Sequence, residues 1–120
     1  MKEENAIQTK SYAFALRIVK LYRFLCGEKK EFVLSKQIVR SGTSIGANVE
    51  EAIGGQSRKD FVAKMHIAYK EARETHYWLR LLRDSDILAP DQAESIINDC
   101  EELLKISGSI IKTTRSNLNS

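Results

Sequence analysis

Apolar residues recur along this chain at spacings of three and four, and almost nowhere at two. Ile7, Phe14, Ile18, Leu21 and Leu25 follow one another at seven, four, three and four residues, and Phe61, Met65, Ala68, Ala72, Thr75, Leu79 and Leu82 alternate between four and three. With 3.6 residues per turn, each set falls on one face of an α-helix. A third set runs through Ile96, Ile97, Cys100, Leu103, Leu104, Ser107, Ile110, Ile111 and Thr114. The fourth, Leu34, Ile38, Ile45, Val49 and Ala52, is thinner and crosses Ser41 to Ala47, where two glycines each cost about 1 kcal/mol against alanine. The apolar spacing continues through that stretch and keeps it helical, while small side chains at Gly42, Gly46 and Ala47 let a neighbouring helix come close.

Turn and cap residues divide the chain between these faces. Gly27 can end the first helix and Gly54-Gly55 the second; Ser57 with Asp60 resembles a capping box; Asp84-Ser85-Asp86 and Pro90 separate the last two. The helices are predicted near 6–27, 31–54, 57–84 and 90–116. Links this short make consecutive helices antiparallel. The expected fold is all-α, an antiparallel up-down-up-down four-helix bundle forming a single domain over residues 1–120.

Two helices are apolar on a second side. At 100° per residue, Tyr12, Leu16 and Val19 lie about 140° to 200° from Phe14, and Ile67, Trp78 and Leu81 about 200° to 260° from Phe61. A four-helix bundle has one interior, so these six side chains are interface candidates for self-association, unless a loop or terminus folds over them.

Composition is that of an ordinary globular chain: 120 residues, 42% apolar and 29% charged. No apolar run is long enough to span a bilayer and Met1 to Lys10 is polar. Two cysteines without a CxxC pattern fit reduced thiols, and the expectation is a cytoplasmic protein with no membrane partner. Nineteen Lys and Arg against sixteen Asp and Glu leave +3, distributed as +4 over residues 1–30, −1 over 31–56, +2 over 57–88 and −2 over 89–120. Any anion-binding face therefore belongs to the first or third helix.

No catalytic or metal motif emerges. His66 and His76 lack the Glu-x-x-His spacing of bundle metal sites, and no phosphate loop or activated cysteine is evident. No cofactor, metal or catalytic residue is expected, and the chain is read as not an enzyme. Three polar sets remain. Lys59, His66, Lys70, Arg73, Tyr77 and Arg80 form a basic strip with an aromatic inside it on the third helix, and Lys10, Arg17 and Lys20 a second strip on the first. Clustered cations neutralise phosphates and an aromatic can stack a base, so these are nucleic-acid candidates; a solvated helix face is the competing account. Arg40, Ser44, Asn48 and Glu51 form a mixed stripe on the second helix that can meet Glu71 or Glu74, and it reads as structural, setting helix register or subunit contact.

The run Arg40-Ser-Gly-Thr-Ser-Ile-Gly-Ala-Asn-Val-Glu-Glu-Ala52, followed by Asp60-Phe61 and by Lys70-Glu-Ala-Arg-Glu-Thr-His-Tyr-Trp-Leu-Arg-Leu-Leu82, resembles a family. It is similar to the four-helix bundle proteins encoded in intervening sequences of bacterial 23S ribosomal RNA genes, which are related to the accessory protein of diversity-generating retroelements. The likeness covers roughly residues 11 to 115. It implies a small bacterial bundle assembling as a ring, a pentamer, with a basic surface for nucleic acid and no established catalysis. The family motif maps onto Arg40, Gly42, Ser44, Gly46, Asn48, Glu51, Glu71, Glu74, Tyr77 and Trp78. The expected function is that of a nonenzymatic oligomer binding RNA or another nucleic acid as an accessory module, its partners being further copies of itself and RNA or a nucleic-acid-processing protein. The alternative is a structural or protein-interaction module with no nucleic-acid role.

Overall fold

The computed structural model describes residues 2–119 and places four α-helices there: α1 (Lys2–Gly27), α2 (Leu34–Ile53), α3 (Arg58–Asp84) and α4 (Pro90–Asn119). They pack in the cyclic order α1–α2–α3–α4–α1, so α1 and α3 are diagonal partners, as are α2 and α4. The result is an antiparallel up-down-up-down bundle measuring 50 × 21 × 20 Å, the length of one long helix by the width of two.

The helical periodicities become the core. Phe14, Ile18 and Leu25 of α1, Ile38 and Ile45 of α2, Met65, Leu79 and Leu82 of α3, and Leu103 and Ile110 of α4 are all buried. The glycine-bearing stretch of α2 is helical because of what it packs against. A Cβ on Gly42 would lie 2.8 Å from two carbons of Ile18, and one on Gly46 would meet the backbone carbonyl of Ser11 at 3.4 Å. The missing side chains let α1 lie close against α2, and that packing outweighs the helix-propensity cost.

The helix ends differ from expectation in instructive ways. Helix α1 begins at Lys2, four residues before the expected start at residue 6, and ends at Gly27, yet the left-handed residue that turns the chain is Lys30, at φ 54°. Helix α2 starts at Leu34 rather than 31, because Glu31 caps it from outside. The Glu31 carboxylate accepts the backbone N–H groups of Val33, Leu34 and Ser35 at 3.1, 2.9 and 2.7 Å. Ser57 caps α3 by accepting the Asp60 N–H at 3.1 Å, and Pro90 opens α4, where its missing N–H costs nothing. Asp86, left-handed at φ 63°, reverses the chain between them, and the N–H groups of Ile87 and Leu88 both close on the Leu82 carbonyl. No helix of the described residues is long and apolar enough to cross a membrane.

Candidate nucleic-acid interface

The two basic strips fare differently once the helices are assembled. On α1, Lys10 Nζ meets Glu102 at 3.0 Å, and Arg17 meets Asp99 at 2.6 Å while also donating to the Ser95 hydroxyl at 3.1 Å. Lys20 lines a groove of about 520 Å³ with Arg17 and Asp91. The acids of α4, counted apart in sequence, thus pair with two of the three cations of the α1 strip across the α1–α4 seam, while Lys20 is exposed without an ion pair among the described residues. Exposed pairs of this kind contribute on the order of 0.2–1 kcal/mol each, but they remove Lys10 and Arg17 as free phosphate ligands.

On α3 the strip keeps its charge. Lys59, Lys70 and Arg73 are exposed, and none has an acidic partner among the described residues. Tyr77 is 48% exposed, with its ring edge-on to Trp78 and the Arg80 guanidinium 5.9 Å from its centroid. Arg80 also feels Asp84, whose carboxyl is held below the usual range chiefly by its hydrogen bond from Arg83, with Arg80 a smaller contribution. His66 lies in a groove against α4 and stacks on Tyr69, the ring planes 12° apart.

The outer apolar surface is narrower than periodicity implied. Tyr12 (65% exposed), Leu16 (51%) and Ile67 (42%) stand out from the bundle, while Val19, Trp78 and Leu81 are half-buried. Trp78 packs against the protomer's own core, and its indole N–H donates to Glu74 at 2.9 Å. Tyr12 and Leu16 are on α1 and Ile67 is on its diagonal partner α3. Tyr12 borders α2 beside Thr43, Gly46 and Ala47, and Ile67 shares a helix flank with Glu71 and Glu74, which pair with Arg40 of α2.

The polar stripe comes together in part. Arg40 bridges α2 to α3, pairing with Glu71 at 3.3 Å and with Glu74, and it also reaches Gln37. Asn48 donates to the Ser44 carbonyl one turn back on its own helix at 2.9 Å, and Glu51 pairs separately with Lys64 at 3.6 Å. Arg40, Glu74 and Trp78 therefore form one hydrogen-bonded chain across the α2–α3 surface.

The buried polar link between these helices lies beneath the stripe. The hydroxyls of Ser41 and Thr75, both buried, are 2.8 Å apart, and Thr75 also lies 2.8 Å from the Glu71 carbonyl. Ser41 had a signal in the sequence, since it sits three residues after Ile38 and four before Ile45, at a core position. Cys100 is buried with its thiol donating to the Ala72 carbonyl at 3.3 Å, and burial pushes its pKa up to about 12, which makes it a poor nucleophile. Both cysteines are free thiols, and His76 is paired with Glu101 at 3.0 Å. Among the described residues no group of three or more His, Cys, Asp or Glu side chains is placed to hold a metal ion.

The family model described as 23S rRNA-intervening sequence protein matches residues 3–109. The chain belongs to that family. A family member from Bacteroides thetaiotaomicron VPI-5482 is similar in structure: a protein of unknown function from the S23 ribosomal protein family, solved by crystallography at 1.70 Å. It is 56% identical, with a TM-score of 0.90 over 92% of this chain and 98% of that one. No curated protein matches. The span matched to the intervening-sequence family takes in α1 from its second residue and all of α2 and α3, including the α2 run whose Gly42 and Gly46 seat α1.

Proposed function

We propose that this intervening-sequence family member is a nonenzymatic, self-assembling cytoplasmic bundle that binds RNA along α3, as an accessory module to RNA or to a nucleic-acid-processing protein. The observation that carries the reading is the row Lys59, Lys70 and Arg73, cations without acidic partners among the described residues, flanking the half-exposed ring of Tyr77. Phosphates are neutralised by such a row and a base stacks on such a ring. A net charge of +3 is small for one copy, but assembly repeats the row and its fields add.

Self-association is supported by the exposure of Tyr12 and Leu16 on α1 and of Ile67 on α3. Unlike surfaces on two helices would join copies head to tail, closing into a ring when the rotation allows, and the family resemblance is the ground for reading that ring as a pentamer. A structural or protein-interaction module is the second reading, favoured by the exposure of Tyr12 and Leu16.

A salt titration of RNA binding decides between them. For single-stranded RNA the slope of log K against log salt is about −0.7 per phosphate neutralised, so Lys70→Ala with Arg73→Ala should flatten it by about 1.4 per strip. Absence of any retardation at low salt removes the RNA reading and leaves the interaction module.

A further inference from the structure

A groove of about 440 Å³ runs between α3 and the last turns of α4, beside the exposed α3 row, and its lining is chemically biased. One wall is aromatic: the rings of His66 and Tyr69 stack with centroids 6.4 Å apart and planes within 12°. Opposite, α4 contributes Gly108, Lys112, Arg115 and Ser116, and no carboxylate lines the groove. Gly108 leaves the floor bare beside the Tyr69 ring, since a Cβ there would lie 3.5 Å from its Cε1. Lys112 and Arg115 have no acidic partner among the described residues, and they lie about 6 and 10 Å along α4 from Gly108 at 1.5 Å per residue. His66 Nδ1 is buried and makes no hydrogen bond among the described residues, so the aromatic wall carries an unused polar atom. A few hundred Å³ is the size range of small-ligand sites.

We infer that this groove is a mononucleotide site, with the base against the His66–Tyr69 wall over Gly108 and the phosphate on Lys112, Arg115 and the Ser116 hydroxyl. The two halves recognise different ends of one ligand: a planar ring gains stacking on the aromatic wall, and a dianion gains charge-assisted hydrogen bonds from a guanidinium and an ammonium. The site goes beyond RNA binding on α3: it takes in His66 of that strip but neither Lys70 nor Arg73, and its cations come from α4. The same chemistry serves a free nucleotide or the phosphorylated end of an RNA strand.

Calorimetric titration of the intact protein with adenosine monophosphate, adenosine and inorganic phosphate tests the assignment. The expected result is saturable nucleotide binding at about 1 mM or tighter, with adenosine and phosphate each weaker by about tenfold or more. Gly108→Leu fills the floor and should abolish binding. Should that variant fail to give the parental thermal melt, Lys112→Ala with Arg115→Ala, both on the surface, should weaken the nucleotide about tenfold without changing adenosine. Displacement of the nucleotide by a 5′-phosphorylated RNA oligomer, but not by the same oligomer without its phosphate, assigns the site to strand ends; failure of both to displace it assigns the site to free nucleotide. Inorganic phosphate binding as tightly as the nucleotide, or a folded Gly108→Leu that still binds it, overturns the inference. Lys70→Ala with Arg73→Ala should leave nucleotide binding intact, so this site and the α3 row fail independently.

Discussion

Single side chains decide where this chain's helices begin and how two of them lock. Glu31 is the clearest case. Burial raises its pKa, but the backbone N–H groups of Leu34, Ser35 and Val33 hold the carboxyl below its ordinary 4.5. A folded pKa below the unfolded one contributes stability that is present above the unfolded value and is lost as the pH falls through the folded one. Glu31→Gln should therefore cost about 1 kcal/mol in urea melts at about pH 7, and the gap to the parent should narrow at about pH 3. The Ser41–Thr75 hydroxyl pair makes a second test. Thr75→Val keeps the shape but strands a buried hydroxyl, for a loss of about 1–3 kcal/mol, whereas Ser41→Ala combined with Thr75→Val should recover part of it in a double-mutant cycle.

At the scale of elements, two helix-interior glycines have opposite reasons to exist. Gly42→Ala adds helix propensity but drives a methyl into Ile18, so it should destabilise by about 1–3 kcal/mol. Gly108→Ala meets only ordinary contact with Tyr69 and should stabilise by up to about 1 kcal/mol, the two variants being compared by thermal unfolding. Much of this level was legible in the residue order. The core faces of α1, α3 and α4 and the capping of α3 by Ser57 followed from local spacing, and Arg40 reached Glu71 and Glu74 as its helix face implied. What lay beyond reach was pairing between distant segments. No spacing within α1 says that Lys10 and Arg17 will stand opposite Glu102 and Asp99, and none within α3 says that His66 will share a groove with Arg115. The half-burial of Trp78 was hidden for a similar reason: a wheel of α3 alone does not show the core side chains of other helices against which the indole packs.

For the whole molecule, the consequential feature is that apolar groups stand exposed on two diagonal helices, Tyr12 and Leu16 on α1 and Ile67 on α3, besides Phe32 and Val33 in the link between α1 and α2. Leu16→Glu should lower the mass seen by light scattering toward that of a single 13.6 kDa chain, and an unchanged mass would remove α1 from the contact. In the proposed head-to-tail assembly the α1 and α3 surfaces are unlike, which gives the assembly a direction. A copy blunted on α1 alone keeps its α3 end and can still add to a growing string of copies, but nothing can add after it. Doped in at a minor fraction, such a terminator would leave arcs instead of closed circles, whereas a contact made from like surfaces would shed the defective copies and spare the rest.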